Sequence, residues 1–331
     1  MKRLSIYAII VLIGIGSTLA RAQQVNTLYF LENAPMRHII NPAFQPVSNV
    51  YITLPAIGYT SLWAGNNAFT MKDFIFTDAN GNTITPFHPN ANPDWLQRKP
   101  KNTLVDVDAY INLFGLGVRV RENGYFHLNI SEHIFASTSM GTNLFGINQL
   151  DSGMIGPFAL GANAMVYTDI ALGYSHKIND QWTVGGKFKF LVGQAYLGAG
   201  IDELSLATST EMLHAYGNGH IAVAAPLQWQ NLPTDINNLD ELNTEDLIST
   251  DYRNWLTPAG LGAAFDLGAT YKPHEMVQIT ASITDLGFIR WTNLAKGSLS
   301  MDTTFTGVDI NYSDHVYDGQ FQTDSLTSSL T

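Results

Sequence analysis

The chain has 331 residues, with 17 Lys plus Arg against 28 Asp plus Glu and a formal charge of −11. That acidity argues against nucleic acid as a partner, and the absence of cysteine removes disulfide staples and thiol chemistry alike. Beyond the first residues no stretch is apolar enough for a membrane helix, so a spanning structure would have to be a closed barrel, which also satisfies every backbone group in lipid.

Residues 1–22 read as a secretory signal peptide. Lys2 and Arg3 precede the apolar run 4–15, and Ala20, Arg21 and Ala22 form an A-x-A cleavage site. The run is shorter than the roughly 20 residues a transmembrane anchor needs. Cleavage before Gln23 removes Lys2, Arg3 and Arg21 and takes the formal charge from −11 to −14.

Residues 23–102 are expected to form an N-terminal hatch or plug with its approach loops. Pro35, Asn41-Pro42-Ala43 and Pro46 forbid a long central strand there, and only 49–57 alternates. From 64 to 102, Gly65, Asn80-Gly81-Asn82, Pro86, Pro89, Pro93 and Pro100 are turn chemistry, with a short helix or strand at 71–76. His88, Asp94, Arg98, Lys99 and Lys101 match no ligand spacing and read as a solvated loop.

Residues 103–308 read as a transmembrane barrel. The first strand places Asp106, Asp108, Tyr110 and Asn112 on one face. Its phase then flips, because Gly115, Gly117, Arg119 and Arg121 are the non-apolar set beyond Phe114. A bulge near Phe114 and Gly115 keeps one long bent strand; two strands joined by a tight turn is the alternative. Glu122-Asn123-Gly124 makes a hairpin turn. The return strand sets Phe126, Leu128, Ile130 and Ile134 against His127, Asn129, Ser131 and His133, and Glu132 interrupts the apolar row. Residues 141–157 form a long loop.

The clearest period of two is the hairpin 162–197. Ile170, Leu172, Tyr174, Trp182, Val184, Phe188, Phe190, Val192 and Tyr196 share one apolar side, opposite Asp169, Lys187 and Lys189. Its strands far exceed the usual five or six residues and cover the roughly 9 to 11 needed to cross a bilayer. Tyr174 and Trp182 near the turn and Tyr196 at the far end are expected to mark two water interfaces.

Gly217-Asn218-Gly219 is a turn candidate, and the acidic excursion 226–257 is expected to leave the wall with a short amphipathic helix. Leu261, Phe265, Leu267 and Tyr271 then oppose Asp266, Gly268, Thr270 and Lys272, and Val277, Ile279 and Ile283 continue the apolar row after a turn at Pro273, His274 and Glu275. Short turns alternate with long connections, as in outer-membrane barrels. Residues 309–331 read as a polar tail or incomplete final strands.

The segments IALGYSHKINDQWTVGGKFKFLVG (170–193) and 260–291, with DLGATYKP and ITDLGFIRW, resemble a family of exported barrel proteins of unknown function. That family is similar in turn to the long-chain fatty-acid transporter superfamily of the outer membrane, including its members linked to type IX secretion. Asn41, Pro42 and Ala43 match the NPA triplet of that superfamily's hatch. The resemblance implies an all-β, antiparallel transmembrane β-barrel of about 14 strands with the N-terminal segment in the lumen of a Gram-negative outer-membrane protein.

No G-x-S-x-G elbow, H-E-x-x-H or P-loop occurs, so neither catalysis nor a cofactor is expected. His127 and His133 lie too far apart along one strand, roughly 20 Å at about 3.4 Å per residue, for one metal. Asp106, Asp108, Arg119, Arg121, Asp169, Lys187, Lys189, Asp266 and Lys272 are expected to face the lumen, either as a mixed-charge path or as ion pairs that brace the wall. The partners expected are outer-membrane lipid, a hydrophobic or other small molecule, and envelope or secretion proteins.

Overall fold

The computed structural model describes residues 26–70, 99–142, 153–208, 212–225, 257–306 and 320–330, less 32, 56, 57, 275 and 293, together with a few positions between 73 and 84. Residues 1–22, read as a signal peptide, most of 71–98, and nearly all of the expected acidic excursion 226–257 lie outside them.

Alternating side chains become strand wherever the alternation is sustained. Two short strands, β1 (Val50–Thr53) and β2 (Thr60–Asn66), precede a small separate hairpin of β3 (Phe76–Thr77) and β4 (Thr83–Ile84). The long elements are β5 (Asn102–Val120), β6 (Gly124–Gly141), β7 (Gly153–Lys177) and β8 (Trp182–Thr208). They continue with β9 (Met212–Ala224), β10 (Gly260–His274), β11 (Val277–Trp291), β12 (Ala295–Thr306) and β13 (Gln320–Leu330). Eleven strands form one antiparallel sheet, which is not closed among the described residues. The expected tail therefore contains a strand, β13, paired with β12.

The sheet branches. On one edge β5 carries both β1 and β2, and β8 pairs through residues 182–193 with β10 but through 196–208 with β9. Three short turns share one end: Lys177 donates its backbone N–H to Asn123 O, and Lys272 donates its own to Gln181 O.

The phase flip in β5 is a bulge. Register slips between Asn112 and Phe114 opposite β6, so Asn112 and Gly115 land on the same face and the strand continues unbroken. A second bulge, at Gln194, corrects one expectation. Tyr167 pairs with Gly193 but Val166 with Ala195, which turns Tyr196 out of the apolar row; its ring stacks on Trp291 with centroids 5.2 Å apart. Nor do Gly217 and Gly219 make a turn. Strand β9 runs through them, and a Cβ at either would press on a carbonyl oxygen of β8, Glu203 or Gly200, at 2.8 Å, so these glycines allow close strand approach.

The two faces differ in what covers them. Phe126, Ile134, Leu172, Phe188, Phe190, Leu267 and Leu286 are uncovered, with Phe265 at 54 % and Ile279 at 58 % exposure. Trp182 stacks on its cross-strand partner Tyr271 at 4.5 Å beside the short turns. On the opposite face the N-terminal segment, with helix α1 (Asn26–Phe30) and a 3-10 turn (Pro35–Ile39), lies against the sheet. Beneath it Asn112, His127, Ser131, Asp169, Lys187, Lys189 and Asp266 are buried.

Candidate functional site

The site is the seat of this segment. Gly185 of β8 and Gly268 of β10 are directly paired, and their missing side chains leave a flat place in the sheet. A Cβ at Gly185 would strike the carbonyl of Pro42, and one at Gly268 the carboxamide of Asn41. The triplet Asn41-Pro42-Ala43 fits into that place and is almost wholly buried. Asn41 Nδ2 donates to the carbonyls of Ala281 (3.2 Å) and Ala269 (3.4 Å), while its Oδ1 accepts the Ala43 N–H at 2.9 Å. One carboxamide thus closes its own turn and ties it to two strands.

Polar contacts continue along the segment. Ser282 donates to Ile40 O at 2.9 Å, Gln45 to Asn123 O at 2.9 Å, and the Arg119 guanidinium to Asn49 Oδ1 at 3.1 Å. Thr53 donates to Asn112 Oδ1 at 2.7 Å. His38 is fully buried, stacked on His127 at 4.1 Å and hydrogen-bonded through Nε2 to the Tyr51 hydroxyl at 2.7 Å. Lys187 Nζ donates to the carbonyl of His38 at 3.0 Å. This last bond links the segment to the charges below.

Those charges form a connected cluster. Asp266 Oδ2 lies 3.3 Å from Lys187 Nζ and 3.1 Å from Lys189 Nζ, and Lys189 also pairs with Asp285. Asp285 has a positive φ of 59°, uncommon outside glycine. It lies where register slips opposite Phe265 and Leu267, and its N–H donates to Asp266 Oδ1 at 2.8 Å. The bulge therefore turns a residue that alternation would place with Ile283 toward Lys189. Beside the cluster Asp169 accepts from His133 Nε2 at 2.9 Å, and His133 stacks on Tyr167 at 4.6 Å.

The sequence-derived set divides accordingly. Asn41, Pro42, Ala43, Asp169, Lys187, Lys189 and Asp266 come together, and Asp106 is buried and Asp108 half-buried on the same face of β5. Arg119 belongs to the segment's seat. Arg121 does not belong: it lies in the β5–β6 turn, exposed, with φ 58°. Lys272 follows Asp266, Gly268 and Thr270 in row but is exposed beyond the segment's cover. Asp285, His38 and the Gly185–Gly268 pair were not anticipated. The signals available were the residue order ITDLG, whose Asp breaks the alternation, and glycines at facing positions of two strands.

Burial holds the His38 pKa well below its ordinary value, helped by the neighbouring His127, Lys187 and Lys189, so the seated segment contains a neutral imidazole. In the unfolded chain the group titrates near 6.5. Its contribution to stability is complete above that pH and is lost as pH falls toward the lower folded value. Resistance of the segment to protease is expected to drop between pH 7 and pH 5, and His38→Gln to weaken that dependence; equal protease rates at both pH values would contradict it.

A family described as "Family of unknown function (DUF5723)" matches residues 42–331. The chain belongs to this family. The match begins at Pro42, inside the buried triplet, and takes in all the strands described above. Neither the curated proteins nor the solved structures contain a match.

Proposed function

We propose that this member of the family is an outer-membrane β-barrel whose wet interior is closed by its own N-terminal hatch, and that it passes hydrophobic or other small molecules when the hatch moves, in the manner of fatty-acid transporter-like barrels. The observation that carries this reading is the contrast between faces. Strands of 15 to 27 residues turn Phe188, Phe265, Ile279 and their neighbours outward and uncovered. An apolar surface of this extent is unusual on a soluble monomer and suits hydrocarbon, with aromatic rings at the interface and charges on the inner face. Closure of the sheet is part of the proposal, since open edges are not tolerated in lipid.

The seat supports a movable hatch. Most of its hydrogen bonds, those of Asn41, Ser282, Gln45 and Lys187, run between side chains and backbone, and water can replace the neutral ones at a small net cost, about 1 kcal/mol per bond. Proteoliposomes holding the full chain are expected to take up octanoate slowly, and Gly185→Val, which displaces the triplet, to raise that rate at least fivefold. The pairing of Lys187 and Lys189 with Asp266 and Asp285 favours a second reading, a non-transporting scaffold barrel for an envelope or secretion complex. Equal rates in wild type, variant and empty vesicles, for octanoate and for glucose alike, would decide for the scaffold.

A further inference from the structure

Away from the segment, toward the end opposite the short turns, the same face carries a hollow of about 330 Å³ lined by Ser139, Gly161, Asn163, Tyr196, Gly198, Gly200, Asp202 and His220 among others. Its floor is three glycines on adjacent strands: Gly161 pairs with Gly200, Gly198 with Asn163, and Gly200 with His220. Each lacks the atom that would push back a polar neighbour. A Cβ at Gly161 would sit 2.7 Å from Ser139 Oγ, one at Gly198 2.6 Å from the Tyr196 hydroxyl, and one at Gly200 2.8 Å from His220 Cε1. A hydroxyl, a phenol and an imidazole therefore lean over one bare patch of backbone, with the Asn163 carboxamide on its rim.

The bulge at Gln194 creates this arrangement. Without it Tyr196 would face the apolar side; with it the ring joins the row of Gly198 and Gly200 and is backed by Trp291 at 5.2 Å. His220 is fixed by Asp202, whose Oδ2 accepts from Nδ1 at 3.0 Å.

We infer that this hollow is a binding site for a small neutral polyhydroxylated ligand, of the class of a monosaccharide. The inference rests on the reading of this face as the wet interior and gives the site a substrate class. The volume suits one sugar ring, and the glycines let Ser139, Tyr196 and His220 lie low over the strands, beneath the space a ring would take. Ser139, Tyr196, Asn163 and His220 offer both donors and acceptors at its edge, as hydroxyls require. The Asp202 carboxylate beside His220 disfavours anions. An acyl chain would leave these polar groups unsatisfied.

The test uses the full chain in detergent micelles, titrated separately with glucose, N-acetylglucosamine, octanoate and inorganic phosphate while tryptophan emission is followed. Trp291 behind Tyr196 is the reporter, and Trp291→Phe identifies its share of the signal. Saturable binding of at least one sugar is expected, with octanoate and phosphate without effect on the Trp291 signal. Gly198→Val, which pushes the Tyr196 hydroxyl into the hollow, and His220→Ala, which leaves the glycines intact, are each expected to weaken sugar binding tenfold or more, so the second variant decides if the first does not assemble. The inference is overturned if neither sugar saturates, if octanoate or phosphate binds there instead, or if His220→Ala binds as tightly as wild type. Binding is read in micelles, without vesicles, so its failure and a failure of transport are told apart.

Discussion

Asp266→Asn is expected to destabilise the folded chain by ~3 kcal/mol or more, the cost of leaving a buried cation without its partner. Asp266 is 0 % exposed and lies between two lysines that are themselves buried. When its charge is removed, Lys189 keeps Asp285, whereas Lys187 is left with the carbonyl of His38. Neutralising Lys187 at the same time restores the balance, so Asp266→Asn with Lys187→Gln should recover more than half of the loss. Urea unfolding in detergent micelles, followed by tryptophan emission, measures both. A loss below about 1 kcal/mol, the range of an exposed pair, would show that water reaches the cluster.

Gly185→Val is expected to unseat the N-terminal segment. The atoms its side chain would meet belong to the backbone of Pro42 and Ala43, so no rotamer change relieves the collision, and either β8 shifts or the triplet leaves. The absence of native cysteine makes the outcome easy to read. A cysteine placed at Ala43, 2 % exposed in the seated state, should react with a maleimide at least tenfold faster when Gly185→Val is added, and Gly268→Ala should act in the same direction. Unchanged labelling in both variants would mean that the glycine pair is not what holds the triplet.

Much of the architecture was legible because a strand's side chains alternate and any break in alternation must appear as a bulge or a turn. Asn112 and Gly115 show this directly: the flip between them predicts one bent strand, and the register slip at that place confirms it. The bulge at Gln194 carries no such sign, since residues on both sides are a mixture of small and apolar, and strict alternation puts Tyr196 in the wrong row. Arg121 departs from its row for a related reason. It continues the row of Arg119, and periodicity does not say where a strand ends.

The site itself was half legible. Asp169, Lys187, Lys189 and Asp266 could be read as one charged face, but their mutual pairing depends on which strands are neighbours. That β8 gives one half of its edge to β10 and the other to β9 is a long-range choice that no local pattern encodes. The Gly185–Gly268 pair was invisible for the same reason. Each glycine alone reads as a small residue on a wet face, and only the cross-strand pairing turns the two into a seat for Asn41 and Pro42.

A barrel in lipid and a sheet in water differ in which medium touches the apolar face. Single cysteines at Phe265 and at Thr270 lie on opposite faces of β10, one exposed and one buried toward the segment. With a fluorophore at each and the full chain in vesicles, the label at 265 is predicted to be quenched by brominated acyl chains and shielded from aqueous iodide, and the label at 270 to ignore the brominated lipid. Iodide quenching at 265 with no response to brominated lipid would contradict the membrane-spanning barrel.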